Sequence, residues 1–393
     1  MISVNDARRI LSENLERAKS KNISLNDSLG LILAVDVYSP IDVPSFDNSA
    51  MDGYAMKFDS SRNSWESGSV IQAGDTNAYK VKEGTAARIF TGAKIPQGVD
   101  TVIPQELIER DEATGRISYD QDKIQTGSNI RLKGSQCKKE ELIAEKGTPV
   151  TPGLIGLLAS VGLNKVEVYT PATVTYIITG DELKEAGTAL KEGEIYNSNG
   201  PMLEALLKNA GIKEISGLKA TDDKEELQEK INKALAASNV LIISGGISVG
   251  DYDFVKECLE KAGVKELFYK IKQRPGKPMY AGRKGDKYIF ALPGNPASVL
   301  SCFNQYVKPS LKYLAGKEKV WEADAVLSLA ADQKKKEGLT FFLKGRMEQD
   351  EVIIPGGQQS FNLLAFSTAN CLVELEEDKE EIKARTPVNV FYL

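Results

Sequence analysis

The feature that most constrains the fold is an apolar run at residues 240–243 that leads directly into a loop of small residues at 244–253. Four consecutive apolar residues, mostly β-branched, are typical of a strand buried on both faces of a parallel sheet. The glycines of the loop allow backbone N–H groups to come close to an anion. Asp251 and Asp253 end the loop, and carboxylates beside a phosphate-binding loop suit a phosphorylated substrate and a metal ion. A purely local alternative is that Asp253 caps the helix that follows.

Predicted strands and helices alternate throughout residues 169–315. Strands are predicted at 174–178, 240–243 and 288–292, and helices at 202–210, 224–237, 254–261 and 296–314. This alternation predicts an α/β domain with a mostly parallel sheet. Because ligands of open α/β sheets bind outside the carboxyl ends of the strands, the loops after the three strands are expected to meet at one crevice.

These three loops supply the candidate binding residues of the α/β domain. They are Thr179, Gly180, Asp181 and Glu182 after the first strand, Ser244, Gly245, Gly246, Ser248 and Gly250 after the second, and Pro293, Gly294, Asn295, Pro296 and Ser298 after the third. Each loop alone has a local explanation, since Asp181 or Asn295 can cap a helix and Pro296 suits a first helical turn. Three such loops on successive strands favour a ligand site.

A positively charged turn lies just before the third strand. Arg274 and Lys277 are interspersed with Pro275, Gly276 and Pro278, which restrict the backbone and present both cations in one direction. Such a pair suits an oxyanion such as phosphate, sulfate or molybdate. The alternative is that both are ordinary solvated surface charges.

Residues 40–138 carry short alternating segments broken by Gly, Pro and Asn, which predicts a β-rich module. Within it, the run 44–55 contains two acids, an amide, a hydroxyl and a tyrosine, more polar groups than a plain turn requires. A second cluster, at 88–98, places Thr91 after a predicted strand. Both clusters are therefore candidate functional segments.

Composition excludes several classes of protein. A chain of 393 residues is expected to form two to four domains, and a net charge of −5 argues against nucleic acid or an anionic membrane as partner. No apolar run approaches the length of a membrane span. Four scattered cysteines are expected of a reduced, cytoplasmic protein. The absence of histidine excludes a His-ligated zinc site and a His-based catalytic triad.

The remaining segments predict the parts around the α/β domain. Helices are predicted at 4–18, with Ser3 or Asn5 as cap, and at 151–162, with Thr151 as cap. After Gly316, short strands predicted at 339–344, 352–355, 371–375 and 388–392 form a C-terminal β-module.

Six motifs, in this order, resemble the molybdopterin molybdenumtransferases, the family of bacterial MoeA and of the gephyrin E domain. They are Asp-Asn-Ser-Ala-Met-Asp-Gly-Tyr-Ala at 47–55, Thr91-Gly92, Thr-Gly-Asp-Glu-Leu at 179–183, Ser244-Gly-Gly through Asp253, Pro-Gly-Lys-Pro at 275–278 and Leu-Pro-Gly-Asn-Pro at 292–296. The resemblance extends over essentially the whole chain.

The resemblance implies a multidomain fold of α/β and β parts in an elongated homodimer. A helical linker domain comprises residues 1–40 and 139–168, with a β-rich domain inserted at 41–138. A molybdopterin-binding-like, three-layer α/β domain with a parallel-rich sheet follows at 169–315, and a C-terminal β-barrel at 316–393. In the family, the active site lies between the α/β domain of one subunit and the β-rich domain of the other.

The implied activity belongs to molybdenum cofactor biosynthesis: a transferase inserts molybdate, as substrate, into adenylylated molybdopterin, with Mg²⁺-dependent release of AMP. By the same resemblance, the backbone at 244–250 would bind phosphate, and Arg274, Lys277 and Ser298 would bind molybdate. Asp253, Asp251 and Glu182 would hold Mg²⁺, and Asp253, Asp52, Glu182 and Thr91 would be catalytic. The other loop residues named above, with Pro278, would contact substrate.

One departure from the family pattern is Gln136, where a carboxylate is expected. It leaves open a weakened, tungsten-using or otherwise diverged member. Two separate alternatives are a molybdopterin adenylyltransferase and a non-catalytic scaffold member of the family. Expected partners are a second copy of the chain, molybdopterin adenylyltransferase and apo-molybdoenzymes, with no nucleic acid and no membrane.

Overall fold

The computed structural model describes residues 1–247 and 254–393. The chain forms two compact units, one of Asn22–Glu167 and one of Met1–Lys21 with Val168–Leu393. Over the described ranges, none of the helices combines the length and the apolar character that crossing a bilayer requires. Four predicted residues, Ser248, Gly250, Asp251 and Asp253, lie outside the described part of the chain.

Helix α1 (Val4–Asn14) begins the chain. Its N-cap is Ser3, one of the two predicted candidates, whose hydroxyl accepts a hydrogen bond from the Asp6 N–H (3.0 Å). The helix ends earlier than residue 18, because Leu15 is extended and the N–H of Glu16 donates to the hydroxyl of Tyr288 (2.8 Å). A tertiary hydrogen bond therefore ends a helix whose apolar pattern continues.

The unit Asn22–Glu167 is built mainly of short strands, and its first and last strands run across the unit's boundaries. The strands are β1 (Ser20–Ser24), β2 (Ile32–Leu33), β3 (Val37–Tyr38), β4 (Asn48–Ser49), β5 (Gly53–Met56), β6 (Trp65–Ile71), β7 (Thr85–Ile89), β8 (Thr101–Pro104), β9 (Ile108–Arg110), β10 (Arg116–Tyr119), β11 (Ile130–Arg131), β12 (Leu142–Ala144) and β13 (Lys165–Tyr169). Short 3₁₀ helices lie at Leu25–Asp27, Gln105–Leu107 and Gln121–Lys123. Helix α2 (Pro152–Ser160) has the predicted Thr151 cap, which accepts from the Leu154 N–H (3.2 Å).

The main sheet of this unit has the order β8-β5-β7-β6-β10-β9. Successive residues of β5 face opposite sides of it, as the two-residue period of a strand requires. Ala55 packs in one buried cluster with Ile89, and Met56 packs in the other with Trp65. Both faces of β5 are therefore covered by buried side chains.

The second unit contains the predicted α/β domain. Its strands are β14 (Val174–Thr179), β15 (Leu183–Lys184), β16 (Ile195–Tyr196), β17 (Ile215–Ala220), β18 (Val240–Ser244), β19 (Lys265–Tyr269), β20 (Gln273–Arg274), β21 (Tyr280–Lys284) and β22 (Lys287–Leu292). Its helices are α3 (Asn199–Asn209), α4 (Lys224–Ala237), α5 (Val255–Lys261), α6 (Pro296–Cys302) and α7 (Lys308–Leu314), with a π-helical turn at Phe303–Val307 between the last two.

The sheet of this domain has the order β17-β14-β18-β22-β21-β19. The first four strands are parallel and the last two are antiparallel. Adjacent residues of β18 enter opposite cores: Ile242 packs with α1, α3, α6 and α7, and Ile243 packs with α4 and α5. These are the three layers that the sequence predicts, and α1 belongs to one of the outer layers.

The C-terminal segment forms a closed barrel of five strands. Its elements are β23 (Ala325–Leu329), β24 (Gln333–Lys334), β25 (Thr340–Glu348), β26 (Glu351–Ile353), β27 (Cys371–Leu375), β28 (Glu381–Ile382) and β29 (Pro387–Tyr392), with a 3₁₀ helix at Leu364–Ser367. The order β25-β26-β23-β29-β27 closes through pairing of β25 with β27. The predicted fold class is confirmed, while the division into four domains with its particular boundaries stays a prediction.

Candidate active site

A cleft of about 640 Å³ opens at the carboxyl ends of β14, β18 and β22. The three loops that the sequence predicts to meet do line it together. The lining residues are Thr179, Gly180, Glu182, Leu183, Ile195, Tyr196, Asn197, Ser198, Asn199, Asp222, Ser244, Gly245, Gly246, Ile247, Pro278, Pro293, Gly294, Asn295, Pro296 and Phe361. The volume lies in the range of small-molecule and cofactor sites.

The second loop requires glycine because it packs directly on the end of β14. A Cβ on Gly245 (φ +100°) would lie 2.5 Å from the Thr179 hydroxyl oxygen and 2.9 Å from its carbonyl oxygen. On Gly246 (φ +63°) it would lie 2.9 Å from a methyl group of Val255. The N–H of Gly245 donates to the carbonyl of Leu292 (3.2 Å), so it binds the neighbouring strand and is not available to an anion.

Asn199 joins the second and third loops and was missed by sequence reasoning. Its side-chain amide donates to the hydroxyl of Ser244 (3.0 Å) and to the carbonyl of Gly294 (2.8 Å). Its Oδ1 is buried and accepts no hydrogen bond from the described residues. The available signal was its position at the start of α3, which indicates only a helix start.

The first loop presents one of its two carboxylates at the cleft. Glu182 lines it, and its carbonyl accepts from the Ile195 N–H (2.9 Å), which fixes the loop against β16. Asp181 does not line the cleft; its carboxylate accepts from the backbone N–H of Asp222 (3.2 Å). Asp222, which the sequence analysis did not single out, lines the cleft in its place.

The third loop is fastened to the C-terminal barrel. Asn295 occupies the N-cap position of α6 but makes no side-chain capping bond, so the interpretation of Asn295 as a plain helix cap is wrong. Its amide nitrogen instead lies 3.3 Å from the Ser360 hydroxyl. The next residue in the barrel, Phe361, lines the cleft, and sequence reasoning missed it because no motif surrounds it.

Three predicted oxyanion ligands lie apart from the cleft lining. Arg274 and Lys277 are exposed, the former with its guanidinium 5.6 Å from the centre of the Phe341 ring. Ser298 is 3% exposed within α6. Of the charged turn, only Pro278 lines the cleft.

The predicted metal ligands are only partly within the described chain. Glu182 is described, whereas Asp251 and Asp253 are not. In residues 1–247 and 254–393, no group of three or more His, Cys, Asp or Glu side chains is arranged to hold a metal ion.

Asp52 and Thr91, both named as catalytic by the resemblance, contact each other in the unit Asn22–Glu167. The backbone N–H and the hydroxyl of Thr91 both donate to one carboxylate oxygen of Asp52 (2.8 and 2.7 Å). These two bonds, with the charge of Arg88, hold the pKa of Asp52 below its usual range. Gly53 is required beside it, because a Cβ there would lie 1.9 Å from the carbonyl oxygen of Ile103.

Arg88 is held beside this pair by aromatic rings. Its guanidinium carbon lies 5.2 Å from the ring centre of Tyr54 and 5.0 Å from that of Phe90, and it donates to the carbonyl of Gly53 (3.1 Å). Asp47, by contrast, accepts from the Lys133 N–H (2.7 Å) and so joins two segments far apart in the chain. Gln136 is exposed.

Three family descriptions match consecutive parts of the chain. Residues 2–162 match the "MoeA N-terminal region (domain I and II)", residues 175–313 the "Probable molybdopterin binding domain", and residues 326–393 the "MoeA C-terminal region (domain IV)".

Relatives and solved structures agree with these matches over nearly the full length. A "Molybdopterin molybdenumtransferase" of Haemophilus influenzae is 34% identical, covering 99% of this chain and 98% of the relative. One of Staphylococcus epidermidis is 33% identical, with 99% and 95% covered. A solved structure titled as a molybdopterin biosynthesis MoeA protein of Pyrococcus horikosii superposes with a TM-score of 0.85 at 30% identity, with 100% of this chain and 99% of that chain covered.

Proposed function

The chain belongs to the molybdopterin molybdenumtransferase family, and on that premise we propose that it inserts molybdate into adenylylated molybdopterin and releases AMP. It is a transferase of molybdenum cofactor biosynthesis. The observation that carries the proposed reaction is the convergence of three strand-end loops on one cleft of about 640 Å³. Such a cleft at the carboxyl ends of parallel strands suits a phosphorylated substrate.

The backbone of the cleft suits the binding of the substrate's phosphates. Glycines at 245 and 246 allow the loop to pack closely on Thr179 and Val255, and a loop of such small residues suits the close approach of a phosphate to the main chain. Because the N–H of Gly245 already donates to Leu292, the anion-binding donors are assigned to the residues that follow it. Backbone N–H donors at the phosphates would stabilise the charge that develops as the phosphoanhydride is cleaved.

Asp52 is proposed as the charged catalytic group of the other unit. Two hydrogen bonds from Thr91 stabilise its ionised form and lower its pKa. An ionised carboxylate held in one orientation can accept a proton from water or orient it. Thr91 is the residue that holds Asp52, and Glu182 is the candidate carboxylate of the cleft itself.

Magnesium is proposed as the metal of the reaction. Carboxylate oxygen is the donor that Mg²⁺ prefers, and Glu182 offers such a donor at the cleft. Asp251 and Asp253 would complete the set. When bound, Mg²⁺ would neutralise charge on the phosphates of the substrate.

Molybdate is proposed to bind Arg274 and Lys277, with Ser298 as a neutral ligand. Both cations are exposed, so a dianion in solution can reach them, and Pro278 of the same turn lines the cleft. Guanidinium and ammonium groups bind tetrahedral oxyanions through charge-assisted hydrogen bonds.

The proposal includes a homodimer in the cytoplasm, with molybdopterin adenylyltransferase and apo-molybdoenzymes as partners. The four cysteines are all free and buried, which suits a reducing compartment. The four domains at 1–40 with 139–168, 41–138, 169–315 and 316–393 are part of the same proposal, and α1 of the first domain packs on the α/β domain.

The decisive experiment measures AMP release from adenylylated molybdopterin by the purified protein. We expect release only when molybdate and Mg²⁺ are both added, together with transfer of molybdenum to the pterin dithiolene. Metal-stripped protein without added Mg²⁺ is the control. Synthesis of adenylylated molybdopterin from MgATP, or release of AMP at the same rate without molybdate, would contradict the proposal.

A further inference from the structure

Phe361 is an exposed phenyl ring on the wall of the cleft. Its side chain is 71% exposed, and it lines the cleft together with the glycine loops. Exposing a large aromatic side chain to water costs free energy. A ligand that fills the concave site and covers the ring removes that cost.

The loop that carries Phe361 is held rigidly by a buried lysine. Lys344 is 3% exposed, and its ammonium donates to the carbonyls of Gly357 (2.7 Å), Gln359 (3.1 Å) and Asn362 (2.6 Å). An ammonium has three N–H donors, and all three are used on the backbone that surrounds Phe361.

A second set of bonds joins the same loop to β25 and to the cleft. The amide of Gln358 accepts from the N–H of Lys344 (2.9 Å) and donates to its carbonyl (3.0 Å). The carbonyl of Ser360 accepts from the N–H of Ala297 in α6 (3.1 Å). The ring is therefore exposed on a loop that is fixed before any ligand arrives, and fixed aromatic rings bind at low entropic cost.

We propose that Phe361 is the stacking surface for a planar heteroaromatic ring of the substrate. The inference rests on the proposed function, because adenylylated molybdopterin carries two such rings, adenine and pterin. The face of a phenyl ring stacks on either one. In this arrangement the phosphates of the substrate bind the glycine loop and one of its rings stacks on Phe361. Both groups then lie in the same cleft.

Two other side chains serve as comparisons. Leu364 lies on the same loop and is 78% exposed, but it does not line the cleft. Tyr196 is the other aromatic residue among the described lining residues, and its hydroxyl donates to the carbonyl of Thr188 (2.7 Å).

The experiment measures binding by equilibrium dialysis, with AMP and with neopterin as separate probes, so it does not depend on turnover. We expect Phe361→Leu to weaken one or both probes about ten-fold, and Phe361→Trp to bind as wild type does. Leu364→Ala is the matched control and should leave both affinities unchanged. The probe that weakens identifies the stacked ring as adenine or pterin.

Indole fluorescence gives an independent readout with AMP. Binding should quench the added tryptophan of Phe361→Trp but not that of Leu364→Trp, after subtraction of the wild-type signal from Trp65 and Trp321. If a folded Phe361→Leu variant binds both probes with unchanged affinity, the stacking role of Phe361 is overturned while the proposed substrate is unaffected. Loss of binding in Tyr196→Leu but not in Phe361→Leu would overturn it in favour of Tyr196. Failure of the wild-type protein to bind either probe would overturn it together with the proposed substrate.

Discussion

The cleft of the α/β domain and the Asp52–Thr91 pair are built on opposite principles. The cleft is shaped by main chain, with glycines packed on strand ends and a single amide, Asn199, joining two of its loops. The Asp52–Thr91 pair depends on side chains, because one carboxylate oxygen receives two hydrogen bonds from Thr91. The arrangement of the cleft determines where a substrate fits, whereas the arrangement of the Asp52–Thr91 pair determines the position of one negative charge.

Because of this difference, substitutions in the two regions should affect folding, binding and turnover differently. A substitution in the cleft that adds atoms should disturb packing, and with it folding and binding together. A substitution at Asp52 should remove charge at a half-buried position and leave packing intact. Substitutions at Gly245, Asp52 and Thr91 test that separation, and one at Lys277 tests oxyanion binding.

The largest effect is expected from Gly245→Ala. The added methyl group would lie 2.5 Å from the Thr179 hydroxyl oxygen, in a backbone conformation with φ +100°. Steric overlap and left-handed strain together should lower the free energy of unfolding by about 3–5 kcal/mol. Denaturant unfolding measures the change, and AMP affinity should fall with it.

Gly294→Ala is the matched control for folding in the same cleft. Its added Cβ would have only an ordinary contact, 3.9 Å from the Cα of Gly245, so its unfolding free energy should change by less than about 1 kcal/mol. Equal destabilisation by the two substitutions would show that close packing on β14 is not the reason for glycine at 245.

Asp52→Asn should separate chemistry from binding. The amide oxygen still accepts from Thr91, but the charge is lost, so AMP release should slow about 100-fold while AMP affinity and unfolding free energy stay near wild type. Asp75→Asn is the matched control, because hydrogen bonds from Asn77 and Tyr79 likewise lower the pKa of Asp75. Full turnover in Asp52→Asn would exclude a catalytic role.

The companion variant Thr91→Val tests the same pair by pH. It removes one of the two bonds that lower the pKa of Asp52, so that pKa should rise. Because turnover would require the ionised form, the acid limb of the pH–rate profile should move to higher pH. A limb that stays in place would show that another group controls it.

The smallest effect is expected from Lys277→Ala. Loss of one charge-assisted hydrogen bond should weaken molybdate about ten-fold and AMP much less, with little change in thermal stability. Lys213→Ala removes an equivalent exposed charge elsewhere on the α/β domain and should change neither affinity. Equal weakening of molybdate and AMP by Lys277→Ala would indicate a phosphate contact instead.

Predictions from the sequence succeeded for features that depend on residues close together in the chain. The strand at 240–243, the glycine loop after it, the helix caps Ser3 and Thr151, and the approach of three strand-end loops all follow from residue pattern and from the rules of parallel sheets. It overextended α1, because the hydrogen bond from Glu16 to Tyr288 that ends the helix joins positions far apart in the chain.

The sequence by itself determined the fold class, the family and the cleft, since periodicity and glycine-rich loops act over a few residues. Only the tertiary structure decided which side chains complete the cleft. Asn199 lies there because it joins loops from two other strands, and Phe361 because a barrel loop packs on α6. The lining does not include the predicted ligands Arg274, Lys277 and Ser298. The physical reason is the same, because contacts between distant segments, rather than local pattern, decide where a side chain is placed.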